Sequence, residues 1–158
     1  MAVDFFLKLD GIEGESTDEK HAKQIQIMSW SWGGNQVSTV AGTGGSGAGK
    51  VSLSDFNVMA YFDKSTPEFF KNMCAGTHIK TGVMTAVKSG AKGEAYLQVD
   101  FKELFIGSLQ ISASSEVPTV SISFSYNEIK IDYKPQNEQG NVSSTGPVTY
   151  DLKVNKLS

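Results

Sequence analysis

Hydrophobic and polar residues alternate along most of this chain, and the parity of the alternation marks out strands. In AVDFFLKL, Val3, Phe5, Leu7 and Leu9 share one face, with Asp4 and Lys8 on the other. After the polar stretch GIEGESTDEKHA, the run KQIQIMSWSW sets Ile25 and Ile27 opposite Gln26, Met28, Trp30 and Trp32. Both faces of that strand carry apolar side chains, so each is expected to meet a neighbour. Gly33 and Gly34 end it. VSLSDFNVMAYF begins with Val51 and Leu53 in phase and then shifts to Phe56, Val58, Ala60 and Phe62, and this change of parity predicts a bulge near Asp55. GVMTAVKSG, with Val83, Thr85 and Val87 in register, is joined through the turn SGAKG to EAYLQVDFKELFIGSLQIS, where Ala95, Leu97, Val99 and Phe101 alternate. TVSISFSYNEIKIDY repeats the shift, from Val120, Ile122, Phe124 and Tyr126 to Ile129, Ile131 and Tyr133, and predicts a second bulge near Asn127. Beyond the polar loop KPQNEQGNVSSTGP, the stretch VTYDLKV alternates through Val148, Tyr150, Leu152 and Val154.

Only STPEFFKNMCAG has a helical period, which predicts a helix over Ser65 to Ala75. Ser65 and Glu68 have capping-box spacing, Pro67 suits a first turn, and Gly76 is a terminator. Phe69, Phe70, Met73 and Cys74 form the stripe expected to face a core. The pattern as a whole predicts a mainly β protein of six to eight strands. Long bent strands left as an open sheet expose aggregation-prone edges, which closure removes. The expected architecture is a β-barrel of two packed antiparallel sheets with one flanking α-helix, in a single domain over residues 1–158.

Composition narrows the chemistry. The 158 residues carry a formal net charge of -3, and all fourteen basic residues are lysine. A chain without arginine lacks the planar fork used for phosphate clamps and guanine readout, so a nucleic-acid partner is not expected. No apolar run approaches the roughly 20 residues of a bilayer helix, and membrane insertion is not expected either. MAVDFFLKLDG lacks the basic and apolar regions of a cleaved secretory signal, which points to folding in the cytoplasm. Cys74 is the only cysteine, excluding an intrachain disulfide or a cysteine-based zinc site within one chain. His21 lies near Asp18 and Glu19, but the surroundings read as a solvated loop. Cys74 and His78 are separated by the helix-ending Gly76. No catalytic constellation, cofactor site or metal site is expected.

The stretch Gly42 to Val51, GTGGSGAGKV, fits G-x-x-x-x-G-K from Gly44 through Lys50, yet Val51 stands where a magnesium-binding hydroxyl is required. A phosphate loop also needs a helix starting at the lysine, and the residues after Lys50 alternate as a strand. G-x-G-x-x-G at Gly42, Gly44 and Gly47 fails for the same reason. The interval Gly33 to Gly49 is long for a connection in a compact barrel and reads as a protruding arm able to dock on a neighbour. Its expected contact residues are Asn35, Val37, Val40, Gly42, Gly44, Gly45, Gly47 and Lys50. Trp30 and Trp32 form the arm's root, a placement that fits either core packing or a subunit contact.

SWSWGG at 29–34, KVSLSDFNVMAYFDKSTPEFFKNMCAGTHIK at 50–80 and ISFSYNEIKIDYKPQNEQG at 122–140 resemble, in order and over nearly the whole chain, the haemolysin-coregulated protein (Hcp) family of bacterial type VI secretion. The resemblance implies a non-enzymatic tube protein. Six copies would close into a ring, and rings would stack inside a contractile sheath beneath a spike protein. The subunit would reside in the bacterial cytoplasm before firing and be exported without a cleaved signal, with small effector proteins carried in the lumen. Two other readings differ in class: a monomeric ligand-binding β-barrel module, and a nucleotide-binding protein using Gly44 to Lys50.

Overall fold

A computed structural model describes residues 2–38, 48–88, 93–139 and 141–158. The described residues form eleven strands and one helix, more strands than the alternation alone suggested. They are β1 (Val3–Leu9), β2 (Ile25–Ser31), β3 (Gly34–Ser38), β4 (Ala48–Leu53), β5 (Phe56–Tyr61), α1 (Ser65–Ala75), β6 (Ile79–Lys88), β7 (Ala95–Ser112), β8 (Thr119–Ser125), β9 (Glu128–Tyr133), β10 (Val148–Asp151) and β11 (Lys156–Leu157). One sheet runs β11-β10-β9-β7-β6-β1-β2-β5-β8, and β8 pairs back onto β7. That last pairing closes β7, β6, β1, β2, β5 and β8 into a six-stranded barrel and leaves β9, β10 and β11 as an extension. β3 and β4 form a separate two-stranded sheet.

Closure depends on β7, whose 18 residues carry two partners end to end along one edge. Its first half pairs with β9 (Leu97↔Tyr133 to Lys102↔Glu128) and its second half with β8 (Phe105↔Ser125 to Ser112↔Thr119). The expected bulge near Asn127 is a break between two strands. Tyr126 and Asn127 leave the ladder opposite Glu103, itself at φ +53°, and the Asn127 amide donates to the Glu103 carboxylate. Because both chains deflect at one level, parity flips on both while the register is kept, and β8 turns to β5 as β9 turns to β10.

The parity change near Asp55 has another cause. β4 belongs to the two-stranded sheet and β5 to the barrel, so the chain changes sheets at Ser54 and Asp55 and no bulge forms. A bulge that alternation did not reveal lies at Met28, where pairing with β5 shifts between Ile27↔Ala60 and Ser29↔Met59. The extra residue returns Trp30 to the inward face, with Ile25 and Ile27.

Phe56, Phe69, Phe101, Phe124 and Leu104 are fully buried in the barrel core. On β6 the inward residues are Met84 and Ala86, opposite Leu7 and Phe5, and the in-register set Val83, Thr85 and Val87 lies on the outer face. Those three are also largely covered, because Thr85 lies opposite Phe6 on the outer wall and Phe6 is stacked by His21 at 4.4 Å. The segment carrying His21 folds back on the barrel, and Gly14 lets it do so: a Cβ there would sit 2.5 Å from the Gln24 carbonyl oxygen. The last alternating stretch is also shorter than expected, since β10 stops at Asp151 and a turn through Asn155 (φ +54°) returns the chain as β11.

The helix spans the residues the sequence indicates, but it is capped differently. Ser65 is inside it, and the Asp63 carboxylate accepts hydrogen bonds from the Ser65 amide (2.8 Å) and hydroxyl, while the Asp63 amide donates to Thr66 Oγ1. Gly76, at φ +64°, closes the C-terminus with its N–H on the Asn72 and Met73 carbonyls. Phe69 enters the core and Met73 packs against it, whereas Phe70 and Cys74, one turn apart, are exposed on the outer side. Asp63→Ala is expected to cost about 1 kcal/mol, the usual worth of a side-chain cap. Urea unfolding measures it, and Glu68→Ala should be near neutral in comparison.

Candidate assembly surfaces

The arm between Trp32 and Asp55 is a β-hairpin rather than a glycine loop. Gly34 pairs with Leu53, Asn35 with Ser52 and Gln36 with Val51. Asn35 and Val37 lie on β3, and Lys50 is an exposed residue within β4. Val40, Gly42, Gly44, Gly45 and Gly47 fall outside the described residues. The strand around Lys50 removes the helix N-terminus that a phosphate loop requires.

Both tryptophans of the root pack on the core. Trp30 stacks on Phe56 (5.5 Å, 8°) and meets Phe5 edge-on. Trp32 Nε1 donates to the Tyr126 hydroxyl at 2.5 Å, which in turn donates to the Ser54 carbonyl oxygen at 2.9 Å. Across the stem, the Ser54 amide donates to the Gly33 carbonyl (2.8 Å) and the Gly33 amide to Ser54 Oγ (3.0 Å). Burial pushes the Tyr126 phenol above its ordinary range and the charge of Asp55 adds to this, against the opposing effect of the Trp32 donor.

A second surface is an apolar ledge. Directly opposed residues of an antiparallel ladder share a face, so the inward face of β7 continues through Ile131 and Tyr133 on β9, Val148 and Tyr150 on β10, and Leu157 on β11. Inside the barrel this face is covered by the opposite wall. On the extension it is not, and Tyr133, Val148 and Leu157 are 45%, 55% and 68% exposed.

A third surface is defined by charge. β2, β5, β8 and the second half of β7 from Phe105 contain no Asp, Glu, Lys or His. Their outward residues are hydroxyls and amides with Met28, Met59 and Tyr61 among them, and Ser108 and Ser123 form a hydrogen bond across β7 and β8. The remaining strands of the main sheet all carry charge, through Asp4, Lys8, Lys80, Lys88, Asp100, Lys102, Glu103, Glu128, Lys130, Asp132, Asp151 and Lys156. One such pair, Lys102 and Glu128, meets at 3.0 Å.

The loop histidine forms no cluster with its acids. Asp18 Oδ1 accepts the backbone N–H groups of Lys20 and His21 in a turn, and the imidazole lies on Phe6 with both nitrogens buried and without a hydrogen-bond partner. No group of three or more potential metal ligands occurs among the described residues.

A family model described as "Type VI secretion system effector, Hcp" matches residues 6–133. The chain belongs to the Hcp family. It is 33% identical to protein hcp1 of Pseudomonas aeruginosa over 157 residues, covering 98% of this chain and 96% of that protein. The fold is similar to that of a type six secretion system protein (TM-score 0.93, 28% identity, 99% and 100% of the two chains). It is also similar to Hcp1 from Salmonella typhimurium (TM-score 0.81, 33% identity, both chains fully covered). Hcp proteins are structural secreted proteins, not an enzyme family. No helix among the described residues is long and apolar enough to cross a membrane.

Of these three surfaces, the sequence pattern points to the arm and its root and not to the other two. The uncharged wall was visible as four charge-free strand segments, and it went unnoticed because they are adjacent only after closure. The ledge gave no local signal, since strands whose apolar face is covered by the core and strands whose apolar face is left exposed alternate alike.

Proposed function

We propose that this Hcp chain is the single-domain tube subunit of a type VI secretion system. Six copies close into a ring, and rings stack through the β3–β4 hairpin into a tube inside a contractile sheath, tipped by a spike protein. The observation that carries the reading is the ledge of Tyr133, Val148 and Leu157, an apolar sheet face on the flank of a barrel that already has its own filled core. A face of this kind, meeting a different flank of the next copy, makes a heterologous contact, and such contacts close into a ring when the rotation between copies divides a full turn. The hairpin leaves the barrel between β2 and β5 at one end, a position suited to contact along the tube axis. The uncharged wall is then the side turned to the lumen, where small effector cargo travels. The subunit assembles in the bacterial cytoplasm and leaves through the secretion system.

Among the described residues the barrel interior is occupied by Phe56, Phe101, Phe124 and Leu104, which disfavours the monomeric binding module. Native mass spectrometry tests the proposal. A six-subunit species is expected at micromolar concentration. The double substitution Val148→Lys and Leu157→Lys should weaken each subunit contact about a hundredfold by placing unpaired charges against apolar surface. A wild-type chain that stays monomeric at every accessible concentration overturns the ring.

A further inference from the structure

We propose that the Tyr126 hydroxyl is the positioning group that fixes the direction of the β3–β4 hairpin relative to the barrel. The proposal rests on the reading of that hairpin as the stacking element. Three chain junctions meet at this oxygen. Trp32 lies where β2 gives way to β3, Ser54 where β4 gives way to β5, and Tyr126 where β8 gives way to β9. The hydroxyl accepts from the first at 2.5 Å and donates to the second at 2.9 Å, so one buried group holds both the entering and the leaving strand of the hairpin. The two hydrogen bonds between Gly33 and Ser54 hold the stem strands to each other, and they would move with the hairpin as a body. It is the phenol that ties this body to the wall.

The tyrosine is well placed for that task. Tyr126 is only 6% exposed and its ring packs against Phe101 at 5.4 Å, so its aromatic body is fixed by the core. Its backbone lies in the break that leaves the ladder opposite Glu103, at the level where the barrel separates from the extension bearing the ledge. The same hydroxyl thus anchors the axial hairpin beside the root of the lateral surface. Burial and the nearby Asp55 both favour the neutral phenol, the form able to donate to the Ser54 carbonyl.

Tyr126→Phe keeps the ring and removes only the oxygen. Hydrogen exchange is expected to rise about fivefold at the amides of Gly33, Asn35 and Ser54, the consequence of one lost neutral hydrogen bond. Exchange at Ile122 and Val99, deep in the barrel, should stay within about twofold of wild type. Trp32→Phe removes the donor instead and should loosen the same amides. The double variant should differ from the larger single change by less than about twofold, because both act through one contact. Rings should form in the normal number of subunits and stack less. Unchanged hairpin exchange overturns the latch, and so does a uniform rise that includes Ile122, which would mark the hydroxyl as merely structural. Faster hairpin exchange with undiminished stacking leaves the latch standing and overturns the hairpin as the stacking element.

Discussion

Phe56→Ala is expected to destabilise the barrel by about 3–5 kcal/mol, the range for removing a fully buried aromatic side chain. Phe56 has no exposed surface and stands at the centre of the aromatic cluster, stacked on Trp30 at 5.5 Å and in contact with Phe101 (4.9 Å) and Phe124 (5.4 Å). Those partners come from β2, β7 and β8, three strands of the closed barrel, so the substitution opens a void where its walls meet. Each aromatic pair adds roughly 0.5–1.5 kcal/mol beyond area burial. Set against the 5–15 kcal/mol of total stability usual for a folded domain, this loss is a large fraction. Equilibrium unfolding in urea, where small proteins lose about 1–3 kcal/mol per molar, should show a midpoint lower by about 2 M. Phe70→Ala is the matched control: Phe70 is 56% exposed on the outer side of α1, and its truncation should cost less than about 0.5 kcal/mol. Equal effects at the two positions would mean that the cluster around Phe56 does not hold the barrel together.

That pair of phenylalanines also shows what was legible in the sequence. The inward residues of β5 and β8 follow strict alternation, and Phe56, Val58, Ala60, Val120, Ile122 and Phe124 all reach the core as the pattern indicates. Alternation succeeds there because each strand has one face on the core and the other facing outward. It fails on β6, where the outward face is also covered, with Phe6 opposite Thr85, and apolar content no longer tells inside from outside. On α1, Phe69 and Phe70 are both apolar and one residue apart, so the true packing face depends on how the helix is rolled against β7, a tertiary fact. The cap is another such case: Ser65 and Glu68 fit a spacing rule, but Asp63 reaches the free N–H first.

Parity changes were the most informative signal and the easiest to misassign. A shift of one residue reads alike whether the chain bulges, breaks or passes to a second sheet. At Asp55 it is a passage between sheets, at Asn127 a break matched across the ladder, and at Met28 a true bulge that apolar residues on both faces concealed. The arm was recognisable from its length between two strand patterns. Its hairpin character was not, because the pairing of Asn35 with Ser52 spans a glycine-rich interval that supplies no alternation. The tryptophans could be read as core or contact, and they are core residues whose polar edge, at Trp32, serves the hairpin.

Deleting Thr39 to Ala48 is expected to abolish tubes while sparing rings. The pairs Gly34↔Leu53, Asn35↔Ser52 and Gln36↔Val51 remain, and the stem stays fixed by Trp32, Ser54 and Tyr126, so the shortened hairpin has what it needs to close. Surface-loop shortening changes closure entropy only weakly, and the thermal midpoint should move by no more than a few degrees. Stacking behaves otherwise because a ring presents its contacts together. If each hairpin contributes about 1 kcal/mol to the joint between rings, six acting at once contribute roughly 6 kcal/mol, or about four powers of ten in ring–ring association. A contact too weak to detect between single chains therefore decides whether a tube exists. Electron microscopy of the deletion variant should show dispersed rings where wild type gives filaments, and native mass spectrometry should still find six subunits. Filaments of normal length would place the stacking contact elsewhere on the ring face. Loss of the rings themselves would instead move the hairpin into the contact between neighbouring subunits, since a lateral contact alone is required for closure.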